Sequence, residues 1–135
     1  MTLSVPEALI HLMVATASSD AAISAAELER IKLLLARTPI FNGFDRSGLE
    51  TVANQCIDII NGAGGLDAAL DGAVAALPER LHDTAYALAV EIAVVDLRLP
   101  QEELRLLEMI RDRLKADRLV TAAIEASARA RMRTP

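Results

Sequence analysis

Residues 12–28 read LMVATASSDAAISAAEL, and residues 88–104 read LAVEIAVVDLRLPQEEL. A shift of 76 positions aligns the two stretches, and their apolar residues then coincide. In each stretch the first apolar residues have the spacing of a helix. A polar turn and the start of a second helix follow them. Because a repeat at a fixed distance constrains architecture more strongly than local propensity does, the sequence predicts two similar helical hairpins.

Each copy carries two acidic residues at the same spacing. Asp20 and Glu27 stand in the first copy, and Asp96 and Glu103 occupy the same places in the second. The first copy also has a capping box, because Ser24 precedes Glu27 by three residues. In that motif each side chain bonds to the backbone N–H of the other residue. We therefore expect the second helix of the first hairpin to begin at Ser24.

The rest of the chain predicts further helices and no sheet. Apolar residues make up 53% and aromatic residues only 2% of the sequence, so alanine and aliphatic residues must form the core. Ala and Leu favour closely packed helices, and no stretch alternates strictly between apolar and polar residues. Prolines and a glycine-rich segment divide the pattern into about seven helices, one of which should run from Pro78 toward Val95. Residues 1–135 thus form one all-α domain. Phe41 and Phe44 should hold the connection after the second helix against its core.

The net charge of −5 is unevenly distributed. Residues 1–110 carry −9, whereas residues 111–135 carry +4. An acidic body with no Trp, one Tyr and two Phe argues against nucleic acid as a partner. The basic end contains Arg129, Arg131 and Arg133, which either contact an acidic protein or an anionic membrane surface or are solvated charges at a helix terminus.

Other features favour a cytoplasmic protein without a transmembrane segment. The chain opens without the basic region of a secretory signal. Its apolar stretches at 8–17 and 85–95 are too short to span a bilayer. Cys56 is the single cysteine and lies in an apolar helical pattern, so we expect it to be a small buried residue.

The motif Asp-x-x-[Ile/Leu]-[Ser/Pro]-x-x-Glu follows an apolar helix at Asp20–Glu27 and again at Asp96–Glu103. This pattern resembles the TerB-like tellurite-resistance family over nearly the whole chain. The resemblance implies a compact multihelical bacterial protein associated with tellurite and other chemical stresses. It also implies an acidic surface that associates with divalent cations, but it does not imply that this chain reduces tellurite.

The repeated carboxylates are the candidate ligands of a cation. Asp20, Glu27, Asp96 and Glu103 supply the oxygen donors that Mg²⁺ or Ca²⁺ prefers. Glu91 is a peripheral candidate, because it interrupts an apolar helix and needs a polar partner or a route to solvent. The alternative is that these residues only cap helices and bond to turn amides.

The leading functional hypothesis is a non-catalytic, stress-associated domain that presents an acidic surface to a protein partner or to a weakly held divalent cation. The alternative is a structural or adaptor protein, or a homodimer, whose acidic residues only cap helices. An enzyme ranks third, because His11 and the pair His82 and Asp83 lack a companion nucleophile motif. We expect His82 to be solvated, and His11 to be a boundary or core histidine bonded by a neighbour.

Overall fold

Seven α-helices make up most of the chain that the structure describes. A computed structural model gives residues 2–18, 23–95 and 101–135, with side chains in the last segment from residue 104 onward. The helices are α1 (Val5–Ala17), α2 (Ala25–Arg37), α3 (Leu49–Ile60), α4 (Gly65–Ala75), α5 (His82–Ala93), α6 (Gln101–Arg113) and α7 (Arg118–Arg131). These three segments contain no β-strand. The prediction of an all-α fold with about seven helices is confirmed.

Two helices begin with the same capping box. At α2, the backbone N–H of Ser24 donates to Oε1 of Glu27 at 3.1 Å, and the N–H of Glu27 donates to the Ser24 hydroxyl at 3.1 Å. At α1, Ser4 and Glu7 make the same exchange at 2.9 and 3.3 Å. The predicted cap at Ser24 is confirmed, and the chain contains a second copy of it.

The helices reproduce the sequence repeat. The bounds of α2 and α6 are 76 positions apart at both ends, and so are Ala17 and Ala93, where α1 and α5 end. The helices α1 and α5 contact each other, while α2 also contacts α5 and α6 also contacts α1. Likewise, α3 packs on α1 and α7 packs on α5. The contacts of α1–α3 thus correspond to those of α5–α7, and α4 packs against α1 and α3.

The core is centred on α1. Every residue from Ala8 to Ala17 is buried, because α1 contacts α2, α3, α4, α5 and α6. Three alanines contribute to the buried surface of α5, and such small side chains let helix backbones approach closely. Phe41 is buried and Phe44 packs against the core, so both hold the α2–α3 connection as predicted.

The helix predicted from Pro78 begins later than expected. Pro78 has an extended backbone with ψ of 150°, and a 3₁₀ turn occupies Glu79–Leu81 before α5 starts at His82. The carbonyl of Pro78 accepts from the N–H of Leu81 at 2.9 Å, which closes this tighter turn. The prediction was therefore wrong for the first turn.

Candidate functional site

Glu27 is the one member of the predicted cation site whose side chain is described, and it is buried. The residue is 4% exposed at the first turn of α2. Its Oε1 accepts the capping bond from Ser24, whereas the buried Oε2 has no hydrogen-bond partner among the residues that the structure describes. A buried carboxylate oxygen without a partner destabilises the fold, because it loses its hydrogen bonds to water and forms none to replace them. Oε2 is thus an acceptor suited to a cation or to another donor.

The other three predicted ligands lie outside the described part of the chain. Asp20 and Asp96 fall in the connections before α2 and α6, and the side chain of Glu103 is also not described. Within the described ranges, no group of three or more His, Cys, Asp or Glu is arranged to hold a metal ion. The convergence of Asp20, Glu27, Asp96 and Glu103 therefore stays a prediction.

Glu91 has protein partners for both of its carboxylate oxygens. Its Oε2 lies 3.4 Å from Nη1 of Arg30 on α2, and its Oε1 accepts from Nη2 of Arg131 on α7. The side chain is only 16% exposed, and its hydrogen bond raises the pKa of Arg131. Two guanidinium groups thus provide the polar partner that an acidic residue on an apolar helix needs. This contact also uses one arginine of the basic C-terminal cluster.

His82 is buried rather than solvated, and the sequence expectation was wrong. The residue is 4% exposed. Its Nδ1 accepts from the backbone N–H of Lys115 at 2.9 Å, so Nε2 carries the proton and donates to the carbonyl of Leu77 at 3.2 Å. The ring therefore ties the segment before α5 to the segment after α6.

His11 lies in the core but lacks the expected hydrogen bond. It is 1% exposed, and in the described part of the chain neither ring nitrogen has a partner that meets hydrogen-bond geometry. Burial lowers the pKa of His11, and the charge of Glu7 and the nearby backbone of Val52 oppose this only in part. The ring is consequently kept neutral and out of contact with solvent, which does not suit it to acid–base catalysis.

Cys56 is buried as predicted, beneath the middle of α1. Its Sγ lies 3.4 Å from the backbone carbonyl of His11. Burial raises the pKa of the thiol to about 12. A thiol in this environment is a packing residue and not a nucleophile.

A cluster of Tyr86, Arg111 and Glu125 connects α5, α6 and α7. The Tyr86 hydroxyl donates to Oε2 of Glu125 at 2.5 Å, and Arg111 lies 3.3 Å from the same oxygen. Burial is the main cause that raises the pKa of Tyr86, and the carboxylate of Glu125 adds to it. Sequence reasoning missed this cluster because its members are 14 to 39 positions apart and match no local motif.

Arg113 on α6 makes a second connection between helices. Its Nη2 lies 2.6 Å from Oδ1 of Asp67, and its Nε lies 2.7 Å from Oδ1 of Asp71. The hydrogen bond with Asp71 is the main cause that raises the pKa of Arg113. Several acidic side chains of the body are thus neutralised by the protein itself, unlike Oε2 of Glu27.

None of the helices in the described segments is long and apolar enough to cross a membrane. Comparison of the chain with family models, with curated proteins and with solved structures returned no match. The resemblance to the TerB-like family therefore stays a prediction from the two acidic motifs.

Proposed function

We propose that this chain is a non-catalytic, stress-associated bacterial domain of the tellurite-resistance type, in which Glu27 anchors a weak divalent-cation site. The observation that carries the proposal is the buried Oε2 of Glu27, which has no hydrogen-bond partner within the described segments. Asp20, seven residues earlier, is the predicted second ligand, and Asp96 and Glu103 form the corresponding pair. The association with tellurite and a cytoplasmic location come from the sequence alone.

The chemistry of the α2 terminus favours weak binding of a hard cation. Mg²⁺ and Ca²⁺ prefer oxygen ligands, and residues 1–110 carry a net charge of −9. However, the positive end of the α2 dipole stabilises the carboxylate and opposes a cation. Oε1 is also engaged in the cap. We therefore expect affinity in the millimolar range, in which binding would respond to changes in cation concentration.

The proposal assigns the acidic surface of this domain to a protein partner. A bound cation would reduce the charge of that surface, so that cation binding and partner binding would influence each other. By linkage, each would change the affinity of the other by the same factor.

A structural or adaptor role is the second candidate, and the observed capping box favours it. Glu27 bonds to Ser24 in the same way as Glu7 bonds to Ser4. On this hypothesis the carboxylates only begin helices, and recognition of a partner or of a second copy does not depend on a cation.

Calorimetric titration of metal-free protein with Mg²⁺, Ca²⁺ and Mn²⁺ separates the two candidates. Glu27→Gln removes the charge but keeps a side-chain oxygen that can complete a capping box. Glu7→Gln makes the same change in the other box and serves as the matched control. The cation proposal predicts saturable heat for the parent protein and for Glu7→Gln, with a loss of at least about tenfold in affinity for Glu27→Gln.

Equal binding by the two variants, or no heat at millimolar cation, would instead favour the structural role. Cross-linking and capture of partners from the host provide a second comparison. A partner that persists after Asp20→Asn and Asp96→Asn would also support the adaptor hypothesis.

A further inference from the structure

A groove between α2 and α3 forms the largest described cavity, with a volume of about 760 Å³. Its apolar surface comes from Leu28 and Leu35 on α2 and from Leu49, Ala53 and Ile57 on α3. Leu28 is 37% exposed at this groove. Two helices thus hold a concave apolar surface open to solvent.

The repeat places a related but smaller groove among α5, α6 and α7. Its volume is only about 250 Å³. Leu104 occupies the position of Leu28, but Arg111 replaces Leu35 and pairs with Glu125. The larger groove is therefore not a simple consequence of the duplicated fold, since the second copy has a smaller groove with an ion pair in its lining.

Two basic side chains border the open groove. Lys32 and Arg46 both line it and are both exposed. Arg46 makes no ion pair with a described residue, and Lys32 has only a 3.5 Å contact with the exposed Glu29. Such an exposed pair contributes little, so it leaves Lys32 able to bind another anion. Glu50 also lines the groove, and the net charge of the lining is therefore +1.

The dimensions favour a small molecule over a protein segment. The span from Leu28 to Leu35 is about 10 Å and that from Leu49 to Ile57 is about 12 Å, given the rise of an α-helix. Eleven residues line the groove, whereas a stable protein interface takes about 20–30 residues from each side. The volume, in contrast, lies within the range of about 300–1,000 Å³ that small-molecule sites occupy.

We infer that this groove binds a small amphipathic carboxylate, a medium-length acyl chain ending in an anionic group. The chain lies against Leu28, Leu49 and Ile57, and the carboxylate accepts hydrogen bonds from Lys32 and Arg46. Because Glu27 does not line the groove, this inference is independent of the cation proposal.

Calorimetry with decanoate, decanol and acetate tests the two parts of the recognition, with both decyl compounds kept below their aggregation limits. We expect decanoate to bind at least about fivefold more tightly than decanol, because only decanoate can pair with the two cations. Acetate should give no measurable heat, since it lacks the chain. The double variant Lys32→Gln/Arg46→Gln should reduce decanoate binding to the level of decanol and leave decanol binding unchanged.

Two further variants locate the ligand. Ala53→Leu adds bulk to the groove wall and should weaken both decyl compounds at least about tenfold, with the fold checked by circular dichroism. Glu108→Gln changes the position equivalent to Lys32 in the other groove and should have no effect. The inference is overturned if decanoate does not bind saturably, if decanol binds equally well, or if the preference for decanoate survives in the double variant.

Discussion

Replacing His11 by leucine should leave the protein at least as stable as it is now, although the residue lies at the centre of the core. Both ring nitrogens of His11 are buried without partners among the described residues, and such unsatisfied groups cost about 1–3 kcal/mol. Leucine is close to histidine in volume, so little cavity or overpacking penalty offsets the gain. We expect the free energy of unfolding to rise by about 1 kcal/mol near neutral pH.

His82 offers a matched control, because it is equally buried but fully bonded. His82→Leu leaves the N–H of Lys115 and the carbonyl of Leu77 without partners. Two orphaned backbone groups should lower the free energy of unfolding by about 2–4 kcal/mol. The same substitution at two buried histidines is thus expected to have opposite signs.

The effect at His11 should also depend on pH. Burial lowers the pKa of His11 in the folded state, whereas in the unfolded chain the pKa of a histidine is about 6.5. Below that value the unfolded state binds a proton that the folded state does not, so the parent protein loses stability as pH falls toward the folded pKa. The advantage of His11→Leu should therefore grow between about pH 8 and pH 5, by at most about 1.4 kcal/mol per pH unit.

Urea denaturation followed by far-ultraviolet circular dichroism, at several pH values, measures all three proteins. The reasoning would be refuted if His11→Leu destabilised the protein by more than about 2 kcal/mol. It would also be refuted if the difference from the parent protein did not change with pH.

Three further predictions concern other described residues. Glu91→Gln removes the charged partner shared by Arg30 and Arg131. It should lower the free energy of unfolding by about 1 kcal/mol in low salt and by less in high salt, because salt screens ion pairs. Urea titrations at two ionic strengths measure this, and an equal loss at both would exclude an ionic cause. Leu12→Ala should lower the free energy of unfolding by about 2–5 kcal/mol and Leu28→Ala by less than about 1 kcal/mol, because Leu12 is buried in α1 and Leu28 is exposed. Thermal denaturation compares the two variants, and equal losses would contradict the assigned core. Cys56 should react with a thiol reagent only in denaturant, because burial raises its pKa to about 12; rapid absorbance change in the native protein would disprove its burial.

The repeat made much of the fold predictable. Aligned apolar positions located α1 with α2 and α5 with α6, and the capping box placed the start of α2 at Ser24. These features depend on residues a few positions apart, whose contacts follow from helix geometry. The first turn after Pro78 was missed, because one sequence pattern allows either a 3₁₀ turn or an α-helical turn there.

Side-chain contacts between distant segments could not be predicted in the same way. Glu91 was recognised as needing a partner, but Arg30 and Arg131 lie 61 and 40 positions away from it. His82 bonds to the backbone of Leu77 and Lys115. Nearly every residue has the same backbone groups, so the sequence does not show which of them a side chain will bind. The groove of the first half and its smaller counterpart are also lined by α3 and α7, which lie outside the aligned hairpins.

Paramagnetic broadening by Mn²⁺ can show directly whether a divalent cation binds beside Glu27. In amide NMR spectra at substoichiometric Mn²⁺, the signals of residues 23–28 should broaden first in the parent protein and in Glu7→Gln, and should remain sharp in Glu27→Gln. Broadening spread evenly over the acidic surface, or unchanged by Glu27→Gln, would contradict the assignment of this carboxylate as the anchor of a cation site.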